Sequence, residues 1–258
     1  MAGLTAARHP GPEAPRAAIW SDAEARFYAE ALDGSDYGQR IGAALATALP
    51  APISLLDLGA GAGHPVQAWL PPQAHWTALE PNAYLRGRLL VHRRPLMRVL
   101  DALWQEVPQL GLLPCDIAFC ANIGGPLEAP RALLGLMRAH ASRAVVWVVP
   151  AQRGPRRWCL AGALPAALHG ECEDPAVARV LDALGPAQQP SRQALIPWSF
   201  QARFSSLAAA AAYCADRLPA APLDAIAAHL ATTAEPLAGG AVRLRAPKLS
   251  ALLIWDLD

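Results

Sequence analysis

The sequence predicts an α/β fold: a doubly wound, mostly parallel sheet of seven strands, with a helical preface and an antiparallel strand pair at its C-terminal end. Three observations predict it. Short apolar runs of strand length alternate with helix-length segments between residues 53 and 149. The runs are apolar on both faces, as strands covered by helices on each side must be. Glycine and proline punctuate the boundaries, as at 59–63, 71–72 and 150.

The preface comes first. Residues 21–32, SDAEARFYAEAL, open with a Ser-Asp cap signal and acids in the first turn, and place Phe27, Ala31 and Leu32 on one side of a helix. A second helix, 36–49, is closed by Pro50. The first strand is ISLLDL (53–58), ended by glycine; HPVQAWL starts a short helix that Pro71-Pro72 stop. HWTALE (75–80) and LMRVLD (96–101) are the next strands, with a helix over 82–94 between them. CDIAFCAN (115–122) is the fourth strand, 126–141 is helical after its internal proline, and AVVWVV (144–149) is the fifth strand. Right-handed crossovers then line the carboxyl ends of these strands along one edge, where open sheets bind ligands.

After Pro150 the rhythm breaks. Residues 151–193 carry short helical segments at PAALHG and PAVARVLDAL, followed by the extended, aromatic 194–204. Two helices follow, SSLAAAAAYCADRL and PLDAIAAHLATT. AVRLRAP and SALLIWDL (250–257) read as a closing antiparallel pair, because no helix-length connection separates them. Four segments result: N-terminal helices (1–50), the alternating core (51–150), an irregular insertion (151–204), and helices with the last strands (205–258).

Bulk properties bound the function. With 258 residues, 53% of them hydrophobic, the chain can bury a large core. A net charge of +1 supplies no general drive toward nucleic acid or anionic membrane, and the one basic run, RGPRRW (153–158), reads as a solvated loop. The Pro-rich RHPGPEAPRAA (8–18) is the stretch least suited to packing. There is no signal-peptide pattern and no apolar stretch long enough to span a bilayer. Five cysteines without a C-x-x-C pair argue against a disulfide framework or zinc site and fit a reducing cytoplasm. His92, His140 and the acids show no metal-ligand spacing, so no metal is expected.

Chemistry concentrates in DLGAGAG (57–63), which puts Gly59, Gly61 and Gly63 at alternate positions directly behind the first strand. A phosphate-binding P-loop needs Lys and then Ser or Thr after its last glycine; His64-Pro65 stand there instead. A nicotinamide-dinucleotide fingerprint needs a third glycine three residues after the second, where this chain has His64. The spacing is G-x-G-x-G, which disfavours a nicotinamide oxidoreductase.

The string resembles motif I of the class I S-adenosylmethionine-dependent methyltransferases, over about residues 36–150. The resemblance implies a Rossmann-like methyltransferase fold, S-adenosylmethionine as cofactor and S-adenosylhomocysteine as product. It implies that backbone at Gly59, Ala60, Gly61 and Gly63 lies against the ligand, where a Cβ would clash. It also gives Asp57 the methionine-end ammonium, and Glu80, followed by Pro81 at the end of the second strand, the ribose hydroxyls. Asp101, Ala102 and Leu103 at the end of the third strand fall where the family holds the adenine.

Methyl transfer from a sulfonium needs alignment and exclusion of water more than acid–base help, so a missing acid–base pair is no objection. The acceptor pocket is expected beside the end of strand four. There FCANIGGP lacks the Asn/Asp-Pro-Pro-aromatic motif of enzymes that methylate nucleobase or glutamine amines. Asn122, His64 and Tyr37 are the catalytic candidates, with Asn122 also placed to orient the cofactor; Tyr28 is a further lining candidate from the preface. Trp158 and Trp198 lie in the insertion, as aromatic wall or as core, and Cys120 reads as a buried strand residue. The expected acceptor is a small molecule, with a protein side chain as a second class. A methyltransferase-fold binding protein without catalysis is the competing function.

Overall fold

The computed structural model describes residues 20–92, 94–123, 127–154, 158–218 and 220–257. The Pro-rich 8–18, Gly124-Gly125-Pro126 and residues 155–157 of the basic run lie outside the described residues.

Two helices, α1 (Asp22–Asp33) and α2 (Tyr37–Ala48), precede the sheet. Ser21 caps α1 in a reciprocal box: its Oγ accepts the Glu24 N–H while the Glu24 carboxylate accepts the Ser21 N–H. Then β1 (Ser54–Leu58), α3 (His64–Trp69), β2 (His75–Leu79), α4 (Ala83–Val91), β3 (Met97–Leu100), β4 (Cys115–Ala121), α5 (Pro130–His140) and β5 (Ala141–Pro150) alternate. Pro65 sits in the first turn of α3, where its missing N–H costs nothing. Next come α6 (Ala166–His169), α7 (Ala176–Leu184), β6 (Arg192–Phe204), α8 (Leu207–Arg217), α9 (Leu223–Thr233), the two-residue β7 (Glu235–Pro236) and β8 (Val242–Asp256).

The strands run in the order β3-β2-β1-β4-β5-β8-β6, with β7 pairing only β8. The first five run parallel to one another; β8 is antiparallel to both β5 and β6. Chain order reverses between β1 and β4, which opens a crevice at their carboxyl ends.

Both faces of the sheet are buried, and successive residues of one strand enter opposite layers. In β5, Ala144, Val146 and Val148 join the layer containing Tyr37, Ile41, Trp76 and Phe119. Val145, Trp147 and Val149 join the layer containing Leu133, Met137 and Val180 on α5 and α7. Each fully buried large side chain contributes about 1.5–3 kcal/mol of transfer free energy, so a two-sided strand is the economical use of so apolar a chain. Cys120 is fully buried in β4. No described helix is long and apolar enough to cross a membrane.

One expectation is corrected. AVRLRAP and SALLIWDL do not pair with each other; they are a single strand, β8, whose antiparallel partners are β6 and β5. Pro247-Lys248 looks like a break in sequence. Pro247 pairs Ser199 of β6 but lies beyond the stretch, Ser250–Asp256, that pairs β5, so it removes no bond from that ladder. The aromatic 194–204 segment is the core of β6, the edge strand.

Candidate active site

A cavity of about 280 Å³ lies in the crevice over the carboxyl ends of β1, β2 and β4. Its floor is Asp57, Gly59 to Ala62, Glu80 to Asn82 and Ala102 to Gln105; Phe119 and Ala121 to Ile123 form one side. Trp20, Tyr28, Leu32 and Tyr37 from the preface roof it.

The glycines do different work. Each has positive φ, at +66° for Gly59, +58° for Gly61 and +79° for Gly63, which only glycine adopts without strain. A Cβ on Gly59 would stand 2.5 Å from Ile123 Cγ2. On Gly63 it would strike the Trp76 ring at 2.6 Å and Leu89 at 2.8 Å, so this glycine seats α3 against β2 and α4. At Gly61 it would meet nothing within 4 Å: that face of the backbone is bare toward the cavity.

Glu80 is the organising acid. Its Oε2 accepts the Gly61 N–H and its Oε1 the Asn82 N–H, both at 2.8 Å. Burial raises its pKa while the two backbone donors and Arg86 pull against that rise. Arg86 in turn donates to the Glu80 and Pro81 carbonyls at 3.0 and 2.7 Å, which fixes the loop after β2. Asp57 is buried and accepts from Trp76 Nε1 at 3.2 Å. Burial pushes its pKa to about 8, against the Trp76 bond and with the Glu80 charge adding to the rise.

At the end of β4, Asn122 adopts φ +53°, a left-handed conformation that Asn tolerates better than most side chains. Its N–H donates to Val148 and its Nδ2 to the Tyr37 hydroxyl, both at 2.9 Å. Its Oδ1 is buried without a hydrogen-bond partner. Burial raises the Tyr37 phenol, with the Asn122 bond opposing, so Tyr37 stays protonated at neutral pH. Beside the glycine turn, His64 Nε2 meets Asp33 Oδ1 at 3.0 Å, and Arg88 clasps both Asp33 oxygens at 2.7 and 2.9 Å. Burial lowers the His64 pKa, against the pull of Asp33. A neutral ring that donates from Nε2 leaves Nδ1 as a proton acceptor.

The structure thus brings Asp57, Gly59, Ala60, Gly61, Glu80, Pro81, Ala102, Leu103, Asn122, His64, Tyr37 and Tyr28 into one wall. Gly63 and Asp101 lie outside it; Asp101 forms an ion pair with Arg86 at 3.0 Å instead. Trp198 stands behind the wall with its ring 4.6 Å from that of Tyr37, and Trp158 packs edge-on to Tyr213. Sequence reasoning missed Trp20, Asn82 and Ile123. Asn82 caps α4 through the Leu85 N–H, and its Nδ2 reaches the Trp20 carbonyl at 3.0 Å and Asp22 Oδ1 at 3.1 Å. An Asn directly before a helical pattern is a cap signal that could have been read.

No family model matches the chain, and no curated protein does. Solved structures do. A candidate type II methyltransferase from Anaeromyxobacter dehalogenans is similar at TM-score 0.51 and 16% identity, covering 85% of this chain and 94% of that one. A protein of unknown function from Deinococcus radiodurans R1 gives 0.48 and 16%, covering 83% and 84%. Magnesium protoporphyrin IX methyltransferase from Synechocystis PCC 6803, with bound S-adenosylhomocysteine, gives 0.44 and 11%, covering 88% and 85%. The chain has the class I methyltransferase fold, a Rossmann-like sheet closed by antiparallel C-terminal strands.

Proposed function

We propose that the chain is an S-adenosylmethionine-dependent methyltransferase that acts on a small molecule, or, as the broader alternative, on a protein side chain. The observation that carries this reading is the Glu80 carboxylate at the carboxyl end of β2, held against the bare Gly61 backbone inside the cavity.

The residues fit that cofactor. Glu80 uses one lone pair on each oxygen for backbone N–H groups, which leaves both oxygens able to accept a further donor, as a ribose diol requires. Ala102 and Leu103 offer an apolar slot of the kind a purine takes, and Gly61 admits close backbone approach. Asp57 and the unpartnered Asn122 Oδ1 are acceptors for an ammonium or for an N–H or O–H of the second substrate.

When bound, S-adenosylmethionine supplies a methyl group already activated on a sulfonium. The chain's own part is to orient and to exclude water. Trp20, Tyr28 and Tyr37 cover the crevice, and Tyr37 fixes the Asn122 amide. His64 Nδ1 takes a proton where the acceptor must lose one, with Asp33 orienting the ring. Gly63 and Asp101 act from outside the wall, through Trp76 packing and through Arg86.

Calorimetric titration of the full chain with S-adenosylmethionine and S-adenosylhomocysteine tests the reading. Saturable binding of both, weakened in Glu80→Ala, is the expected result; a folded chain that binds neither rejects it.

A further inference from the structure

A second cavity, of about 330 Å³, opens among Gln152, Arg153, Leu164, His169 and Lys248. Among the described residues it shares no wall residue with the first. Gln152 and Arg153 lie two and three residues past the end of β5, His169 ends α6 and Lys248 lies within β8, so separate parts of the chain meet at the carboxyl edge of the sheet.

The polar part of its wall is made of donors. Lys248 has no hydrogen-bond or ion-pair partner among the described residues, although burial depresses its pKa; Cys159 and Glu171 pull the other way. A part-buried ammonium that lines a cavity without a bonded partner is stabilised by a negative charge placed beside it. Gln152 Oε1 accepts the Leu249 N–H at 3.2 Å, which orients the amide and leaves its NH2 group as a donor. His169 Nδ1 accepts the Glu171 N–H at 3.0 Å, so the neutral ring carries its proton on Nε2. Arg153 adds a guanidinium whose ion pair with Asp174 engages one terminal nitrogen at 2.7 Å. Among the described residues no carboxylate belongs to the wall; Glu171, the acid in electrostatic reach of Lys248, stands outside it.

We propose that this second cavity binds a small anion bearing a carboxylate or phosphate group, with Lys248 as its charge partner and Gln152 and His169 as orienting donors. The oxygens of such a group accept several hydrogen bonds at once, and an ionised acceptor against an ammonium forms the stronger class of bond. The site stands independently of the methyltransferase reading, because none of these residues touches the first cavity.

The test is calorimetric titration of the full chain, at constant ionic strength and pH 7, with inorganic phosphate, with acetate and with succinate. Saturable binding of at least one probe is expected, and the tighter probe identifies the group. Lys248→Met should weaken that binding tenfold or more while leaving the affinity for S-adenosylhomocysteine unchanged. Gln152→Leu, which spares the charge, should weaken it severalfold and serves in its place if Lys248→Met does not fold. The proposal is overturned if no probe gives saturable heat, or if a folded variant binds within twofold of the wild type.

Discussion

The amide of Asn122, at the end of β4, donates to the hydroxyl of Tyr37, the first residue of α2, at 2.9 Å. This bond joins the roof of the crevice to its side wall across 85 positions of sequence. It also turns Asn122 so that its Oδ1 is left without a partner in the wall.

Tyr37→Phe should therefore cost about 1–3 kcal/mol of stability, the scale of leaving a buried amide donor unsatisfied. Urea denaturation measures it. A larger loss in Tyr37→Ala would add the packing of the ring against Trp198.

Glu80→Ala removes the acceptor that holds Gly61 and, in the proposed function, the ribose. Binding of S-adenosylhomocysteine should weaken by about 1–3 kcal/mol, read by calorimetry. An unchanged affinity would mean that the cofactor does not lie on Glu80.

Gly61 and Gly63 should separate binding from folding. Gly63→Ala drives a Cβ into Trp76 and Leu89 at positive φ, and should cost about 2 kcal/mol or more in thermal or urea unfolding. Gly61→Ala meets no neighbour and should cost only the backbone strain, about 1–2 kcal/mol. Gly61→Val should fill the crevice and abolish cofactor binding in a chain that still folds.

Asp57 should leave a mark on the pH dependence of stability. Its folded pKa of about 8 lies above the value near 4 of an unfolded chain, so between those limits the folded state holds a proton that the unfolded state has lost. Its contribution falls as pH rises through that window and levels off above pH 8. Asp57→Asn should flatten the curve of urea midpoint against pH over that range.

The parallel half of the sheet was legible in the sequence because β1, β2, β4 and β5 bury alternate residues in opposite layers, which forces continuous apolar runs. β8 was not, because Pro247 imitates a turn, and whether a proline is tolerated depends on which neighbours the strand has at that point. The glycine turn and Glu80 were legible because their spacing in sequence reflects one strand–helix–strand unit. The Asp33–His64–Arg88 cluster was not, since its members come from α1, α3 and α4 and meet only after those helices pack. The separate task of Gly63 was equally hidden: only Trp76 and Leu89, placed by tertiary packing, reveal it.

Helix α1 is fastened to α4 at both ends, by Asn82 to Trp20 and Asp22 at its start and by Arg88 to Asp33 at its finish. Fraying from either terminus therefore breaks a latch before it exposes the crevice. Amide hydrogens along α1 should exchange with solvent as one cooperative unit rather than residue by residue from the tip, and a ligand that bridges floor and roof would slow that exchange for the entire helix.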